Sequence, residues 1–200
     1  MEEMKNYLDK IIESLLGKYK LNQLSVHRYK IKEVIEKQIN QIIDSVTTRK
    51  FNKLAEKGLI ITKGEGFVFS DKIELLSFCS DNFKKHLYEK AGKMNKEELD
   101  LAYRIDGLSN IFWWFRNQEN NGFYIQGWLK NRFYPDFIMK TKKGNYFVLE
   151  YKGEHLMGSE ETDYKKAIGQ NWERLSNGKY CFELVDKKNI DKIIDKVYKL

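Results

Sequence analysis

The sequence holds one proline, Pro135, and only two cysteines among 200 residues. A single proline leaves no Pro-rich linker from which a domain boundary can be read. Cys79 and Cys181 stand far apart, with no Cys or His at ligand spacing, which argues against a disulfide framework and a structural zinc site. No run of about 18 uncharged apolar residues is present. The start, MEEMKNYLDK, has acidic residues where a signal peptide carries a basic stretch. The chain therefore reads as neither secreted nor membrane-spanning, with the cytoplasm as its expected compartment. A Walker A loop, G-x-x-x-x-G-K-[ST], is missing too, which excludes ATP hydrolysis by that route.

What is present suits a folded, well-solvated protein. Apolar residues make up 42% and charged residues 32%, enough for a core that needs no staples. Thirty-six Lys and Arg against 29 Asp and Glu give +7 and a pI near 9.1, a balance that attracts polyanions at long range. An AT-rich genome produces the same Lys-rich composition, so charge alone assigns no partner.

Apolar periodicity organises the chain. Met4, Leu8, Ile11, Ile12, Leu15 and Leu16 recur at helical spacing before Gly17, and Ile31, Val34, Ile35, Ile39, Ile42, Ile43 and Val46 form a second stripe. These faces need a partner: each other, the C-terminal core or another subunit. KFNKLAEKGLI reads as a helix stopped at Gly58, and ITKGEGFVFS as a hairpin around Lys63 to Gly66. That pair fits either a winged helix or a plain connecting subdomain. Residues 71–93 read as helical and mixed. Asn95 then caps a helix bearing Leu99, Ala102, Tyr103, Ile105 and Leu108. Four β-prone runs follow, IFWWFRN, GFYIQGW, RFYPDFIMKT and NYFVLEYKG. A helix from Thr162 to Leu175, the strand KYCFELV and a helix from Asn189 to Tyr198 close the chain, the last with Ile190, Ile193, Ile194, Val197 and Tyr198 on its face. This order predicts an α/β domain over 95–200, preceded over 1–94 by a mainly helical region with a small hairpin.

The segment from Phe133 to Lys152, FYPDFIMKTKKGNYFVLEYK, places Pro135 and Asp136 at the start of one strand and Glu150, Tyr151 and Lys152 at the end of the next. Side chains alternate along a strand, so Glu150 and Lys152 share a face while Tyr151 takes the other. A three-residue loop of Lys142, Lys143 and a left-handed Gly144 pairs Thr141 with Asn145. That register sets Asp136 opposite Glu150 with Cβ atoms about 5 Å apart, Lys152 on the same side, and Phe137 and Tyr151 on the other. A four-residue turn would pair Asp136 with Tyr151 and separate the carboxylates. Carboxylates this close raise proton affinity unless a cation lies between them. Mg²⁺, which takes oxygen ligands at about 2.0–2.1 Å and commonly one or two carboxylates, suits the gap. Lys152 beside it would orient or help deprotonate a water and stabilise charge on an attacked phosphate.

Acid-x-Lys also occurs at Glu3, Asp163 and Asp186, and an isolated pair is most often a solvated strand edge. Here Phe147, Val148 and Leu149 run straight into Glu150, the pattern of a strand buried on both faces. Charges that end a buried strand need a reason.

Pro135, Asp136, Glu150 and Lys152 together resemble the motif of the PD-(D/E)XK, restriction-endonuclease-like nucleases. KHLYEKAGKMN with a following Glu, WWFRN, GFYIQGW, FYPDFI, EYKGEHL and IGQNWERL, over about residues 84–185, are similar to the C-terminal endonuclease domain of type III restriction enzyme Res subunits and related helicase-nuclease proteins. The resemblance implies a restriction-endonuclease-like α/β core: a helix, a mixed central sheet with a catalytic hairpin, a helix and a strand. It implies a Mg²⁺- or Mn²⁺-dependent endonuclease acting on DNA. Asp136, Glu150 and the Tyr151 backbone carbonyl would bind the metal, joined by an acidic residue of the preceding helix, matched by Glu98, while Lys152 assists the water. Res subunits carry an ATP-driven motor that has no counterpart in these residues, so an ATP-dependent helicase or translocase is an expected partner. The chain is then a fragment, a subunit or a stand-alone nuclease.

Arg116, Lys165 and Lys166 are candidate phosphate contacts, and Gln170, on the helix after the catalytic strand, is placed to lean over the site. Trp113, Trp114, Phe115 and Trp128 either stack on bases or fill the core. The competing reading is a nucleic-acid-binding or docking module that keeps the nuclease fold and lacks catalysis or needs a partner for it. No residue separates DNA from RNA.

Overall fold

The computed structural model describes residues 2–57, 68–120, 122–128, 132–176 and 178–199. Contacts gather into two units, residues 1–50 and 51–200. The first holds α1 (Glu2–Lys18), α2 (Leu21–Val26) and most of α3 (Arg28–Glu56), whose last residues, 51–56, belong to the second. Ile12, Leu15 and Leu16 line one apolar groove together with Leu24, Ile31 and Ile35, so the two stripes meet each other. The second stripe and KFNKLAE, expected as separate helices, form the single 29-residue α3. No Gly or Pro interrupts them, and Ser45 and Thr47 turn their hydroxyls back onto the Ile42 and Ile43 carbonyls instead of capping a break. The hairpin around Lys63 to Gly66, and with it the winged-helix alternative, lies outside the described residues. No helix among the described residues is long and apolar enough to cross a membrane.

The second unit runs α4 (Lys96–Gly107), β1 (Ile111–Arg116), β2 (Ile125–Gln126), β3 (Arg132–Phe133), β4 (Phe137–Thr141), β5 (Tyr146–Tyr151), a 3-10 turn (Glu154–Leu156), α5 (Glu160–Leu175), β6 (Tyr180–Val185) and α6 (Ile190–Lys199). β1, β4, β5 and β6 form a mixed sheet in that order, antiparallel except for the β5–β6 pair. Parallel neighbours need a long crossover, which α5 supplies.

Helices cover both faces of this sheet. Leu101, Ala102 and Ile105 of α4 and Ile190, Ile193 and Val197 of α6 cluster with Phe137, Met139, Phe147, Leu149 and Tyr151. On the other face Ile168 and Trp172 of α5 cluster with Phe115, Ile138, Val148 and Phe182. Burial on both sides accounts for the unbroken apolar runs of β4 and β5.

Several expectations need correction. RFYPDFIMKT is two strands, because the chain leaves the main sheet at Tyr134 to Asp136 and β3 pairs with β2 in a separate ribbon. Pro135, which has no N–H to give a ladder, sits in that break. Residues 71–93 hold no helix. Part of this segment runs along β1, where Lys85 O accepts from Trp114 N at 2.9 Å and Leu87 N donates to Trp114 O at 2.8 Å, so residues 85–87 cover an edge strand. The boundary expected near residue 94 therefore falls inside the second unit. On α4 the buried face is centred on Leu101, with Leu99 half-buried and Tyr103 exposed, since the Tyr103 hydroxyl reaches out to Asp81. Tyr198 of α6 is likewise exposed.

The α5–β6 contact is close enough to test. A Cβ at Gly169 would lie 2.2 Å from the Phe182 ring, itself buried. Gly169→Ala is expected to lower stability by about 1–3 kcal/mol, read as a reduced urea midpoint. An unchanged midpoint would show that α5 does not sit this tightly on β6.

Candidate active site

The hairpin register is the one the loop length predicts. Gly144 takes φ +92°, Thr141 N donates to Asn145 O at 2.8 Å, and Phe137 pairs with Leu149 and Ile138 with Val148. Continuing by one residue brings Asp136, just before β4, level with Glu150. The chemistry follows from that phase. Phe137 and Tyr151 enter the core on the α4–α6 face, while Asp136, Glu150 and Lys152 line one cavity of about 240 Å³.

Each side chain is held from a different element. Asp136 Oδ2 accepts from Tyr151 N at 2.8 Å, tying the start of β4 to the end of β5. Its Oδ1 and its carbonyl accept from Arg116 Nη1 at 2.7 and 2.9 Å, and its carbonyl also accepts from Asn117 N. Buried Asn117 donates from Nδ2 to the Phe123 and Pro135 carbonyls and accepts from Phe123 N. This ties the Tyr134–Asp136 break to the loop at Phe123. Lys152 follows β5 with its N–H on Val185 O at 2.8 Å and its Nζ 2.8 Å from Glu150 Oε1.

Glu150 is the most constrained group. It is 2% exposed, Lys152 and Lys165 both approach Oε1, the latter at 3.3 Å, and Oε2 is buried with no hydrogen-bond partner among the described residues. Burial, and then the nearby Asp136 carboxylate, push its pKa from 4.5 up to about 7 against the two lysines. Lys165 is itself desolvated, yet the Glu150 and Glu161 carboxylates outweigh that and hold it above the ordinary lysine value. The cluster thus has cations on one oxygen of Glu150 and an unmet acceptor on the other.

Glu98 reaches the site indirectly. Its Oε2 accepts from Asn95 N in a reciprocal cap of α4, and its Oε1 pairs with Arg116 Nη2 at 2.9 Å. Arg116, expected on a phosphate, is thus committed to Glu98 and Asp136. Lys165, expected likewise, lies on Glu150 and Glu161. Lys166 and Gln170 are exposed and outside the cavity lining. Trp114 and Phe115 are core, and Trp113 and Trp128 pack against it. Two residues escaped sequence reasoning. Asn117 ends the WWFRN run, where only the arginine drew attention. His86 is half-buried, and its Nε2 accepts from Arg116 N at 3.1 Å. Burial lowers the His86 pKa, which favours the neutral ring this bond requires. No local pattern marks either residue, because His86 acts across the β1 edge and Asn117 bonds to segments distant in the chain.

Among the described residues no three His, Cys, Asp or Glu side chains group closely enough to hold a metal ion. What this chain offers is two carboxylates, one with a buried oxygen that has no hydrogen-bond partner among the described residues. That donor set is all oxygen, and it fits a hard divalent cation completing its shell with water and phosphate oxygens. It does not fit zinc, which favours nitrogen and sulfur. No protein-family model, no curated protein and no solved structure matches the chain.

The raised pKa of Glu150 has a stability consequence. The folded, metal-free protein keeps the proton up to about pH 7, whereas the unfolded chain releases it near 4.5. The folded state therefore binds more protons between those values, and stability is lost as pH rises through them. Urea unfolding in EDTA is expected to show this fall of a few kcal/mol in the wild type and its loss in Glu150→Gln. A Glu150→Gln protein with the wild-type pH profile would refute the assignment.

Proposed function

We propose that the chain is a divalent-metal-dependent endonuclease that hydrolyses DNA phosphodiesters, with a PD-(D/E)XK, restriction-endonuclease-like core. The observation that carries the reading is Glu150: a buried carboxylate whose Oε2 has no hydrogen-bond partner among the described residues, level with Asp136 on a hairpin and bonded to Lys152. Burying such a charge is costly, and structural packing alone gives no return for it. The order helix, antiparallel strands, crossover helix and parallel strand supports the reading, as does the positive charge of the chain.

Asp136, Glu150 and the Tyr151 carbonyl would hold Mg²⁺ or Mn²⁺, which when bound supplies Lewis acidity toward a phosphate oxygen and lowers the pKa of water. Asp136 is oriented for this by the Tyr151 N–H and Arg116, and Glu150 by Lys152 and Lys165. The Lys152 ammonium, shared with Glu150, is placed to orient the attacking water and to stabilise negative charge as it develops on the phosphate. Lys165 gives the same wall of the cavity a second positive charge. The first unit has exposed apolar residues such as Val26, Tyr29 and Val34, surface available to a partner. An ATP-driven helicase or translocase of a restriction or other DNA-processing system is the partner this reading favours.

The test is cleavage of supercoiled and single-stranded DNA by the purified chain. Cutting is expected in Mg²⁺ or Mn²⁺ and not in EDTA, with Lys152→Ala and Asp136→Asn each slower by about 100-fold or more. Equal cutting by wild type and Lys152→Ala would sink the assignment. Salt-dependent DNA binding without metal-dependent cleavage would favour the docking module.

A further inference from the structure

This inference rests on the metal-dependent reading above and concerns how Glu98 serves it. Glu98 and Asp136 come from different elements and share one cation, the Arg116 guanidinium. Nη2 is 2.9 Å from Glu98 Oε1, and Nη1 is 2.7 Å from Asp136 Oδ1. The three side chains are 13%, 19% and 14% exposed for Glu98, Asp136 and Arg116, so water screens these bonds poorly. The guanidinium carbon also lies 5.2 Å from the centre of the Phe137 ring, and the Arg116 backbone is pinned by His86. The other oxygen of Glu98 is taken by the cap of α4.

We infer that Arg116 is the protein's own cation at the Glu98–Asp136 position, so that Glu98 acts through Arg116 and not as a metal ligand, and a divalent ion is confined to Asp136 and Glu150. An ion held by Glu98 and Asp136 would have to displace the guanidinium and leave a largely buried arginine unpaired, which is strongly unfavourable. An ion at Asp136 and Glu150 leaves Arg116 in place but meets its charge beside one ligand oxygen. Arg116 is therefore a positioning residue with a double effect. It holds Asp136 in place and, by repulsion, keeps the site from binding a cation tightly.

Thermal unfolding in EDTA and across a Mn²⁺ titration separates these roles, using the full chain and the variants Arg116→Gln, Arg116→Lys, Glu98→Gln, Asp136→Asn and Glu150→Gln. Arg116→Gln keeps a donor and removes the charge. It is expected to melt below wild type in EDTA, to gain more Tm from Mn²⁺, and to show an apparent Kd for Mn²⁺ about tenfold lower. Arg116→Lys keeps the charge and is expected within about threefold of the wild-type Kd, and Glu98→Gln, which acts on the ion only through Arg116, weakens Mn²⁺ binding by about tenfold without abolishing it. Asp136→Asn and Glu150→Gln abolish it. Weaker Mn²⁺ binding in Arg116→Gln than in wild type, or a loss in Glu98→Gln as complete as in Asp136→Asn, overturns this inference and leaves the metal site standing. No Mn²⁺ effect on wild type or any variant removes the metal site itself, and the inference with it.

Discussion

Everything at the site depends on the phase of the β4–β5 hairpin. The side-chain period of a strand is two, so one residue more or less in the loop turns Asp136 away from Glu150 and puts Phe137 and Tyr151 on opposite faces, so that one of them leaves the α4–α6 core. Gly144 in the left-handed region closes the loop after Lys142 and Lys143, and the apolar residues of β4 and β5 reinforce the same register from both faces. Core packing and site assembly are thus one constraint: the register that buries Phe137, Leu149 and Tyr151 is the one that brings the carboxylates level.

That arrangement places charge where a fold would not otherwise spend stability. Glu150 is desolvated, faces a like charge and keeps one oxygen without a hydrogen-bond partner among the described residues, yet Lys152 and Lys165 hold the other. Asp136 differs in that all its bonds come from groups placed to receive it: a strand N–H, an arginine and, for its carbonyl, Asn117. Two carboxylates at the same level are therefore unlike in their surroundings, one fully engaged and one half-engaged. The asymmetry leaves the Oε2 side of Glu150 as the acceptor still to be met.

The segment before α4 links the edge of the sheet to this chemistry. By bonding to β1, residues 84–88 protect an exposed strand edge and bring His86 to the Arg116 backbone. Asp106 of α4 accepts from Lys84 N, Lys85 N and Trp114 Nε1, which locks segment, helix and strand together. Burial alone would raise its pKa, but these bonds outweigh that and hold it down.

The sequence by itself determined most elements of the α/β domain, though not the break that splits RFYPDFIMKT at Pro135, together with the hairpin loop and its register, and which faces of Asp136, Glu150 and Lys152 agree. These are local consequences of strand alternation, a glycine at the loop and apolar runs, and they need no knowledge of distant residues. Only the tertiary structure decided that Glu98 meets Arg116, that Lys165 lies on Glu150, that Asn117 fixes the Pro135 break and that residues 85–87 bond along β1. Each of those is a pairing across many residues of chain, made possible by where α4, α5 and the β1 edge come to rest. Propensity and spacing cannot encode such pairings, because the same Arg, Lys or Asn would have been equally at home on a solvated surface.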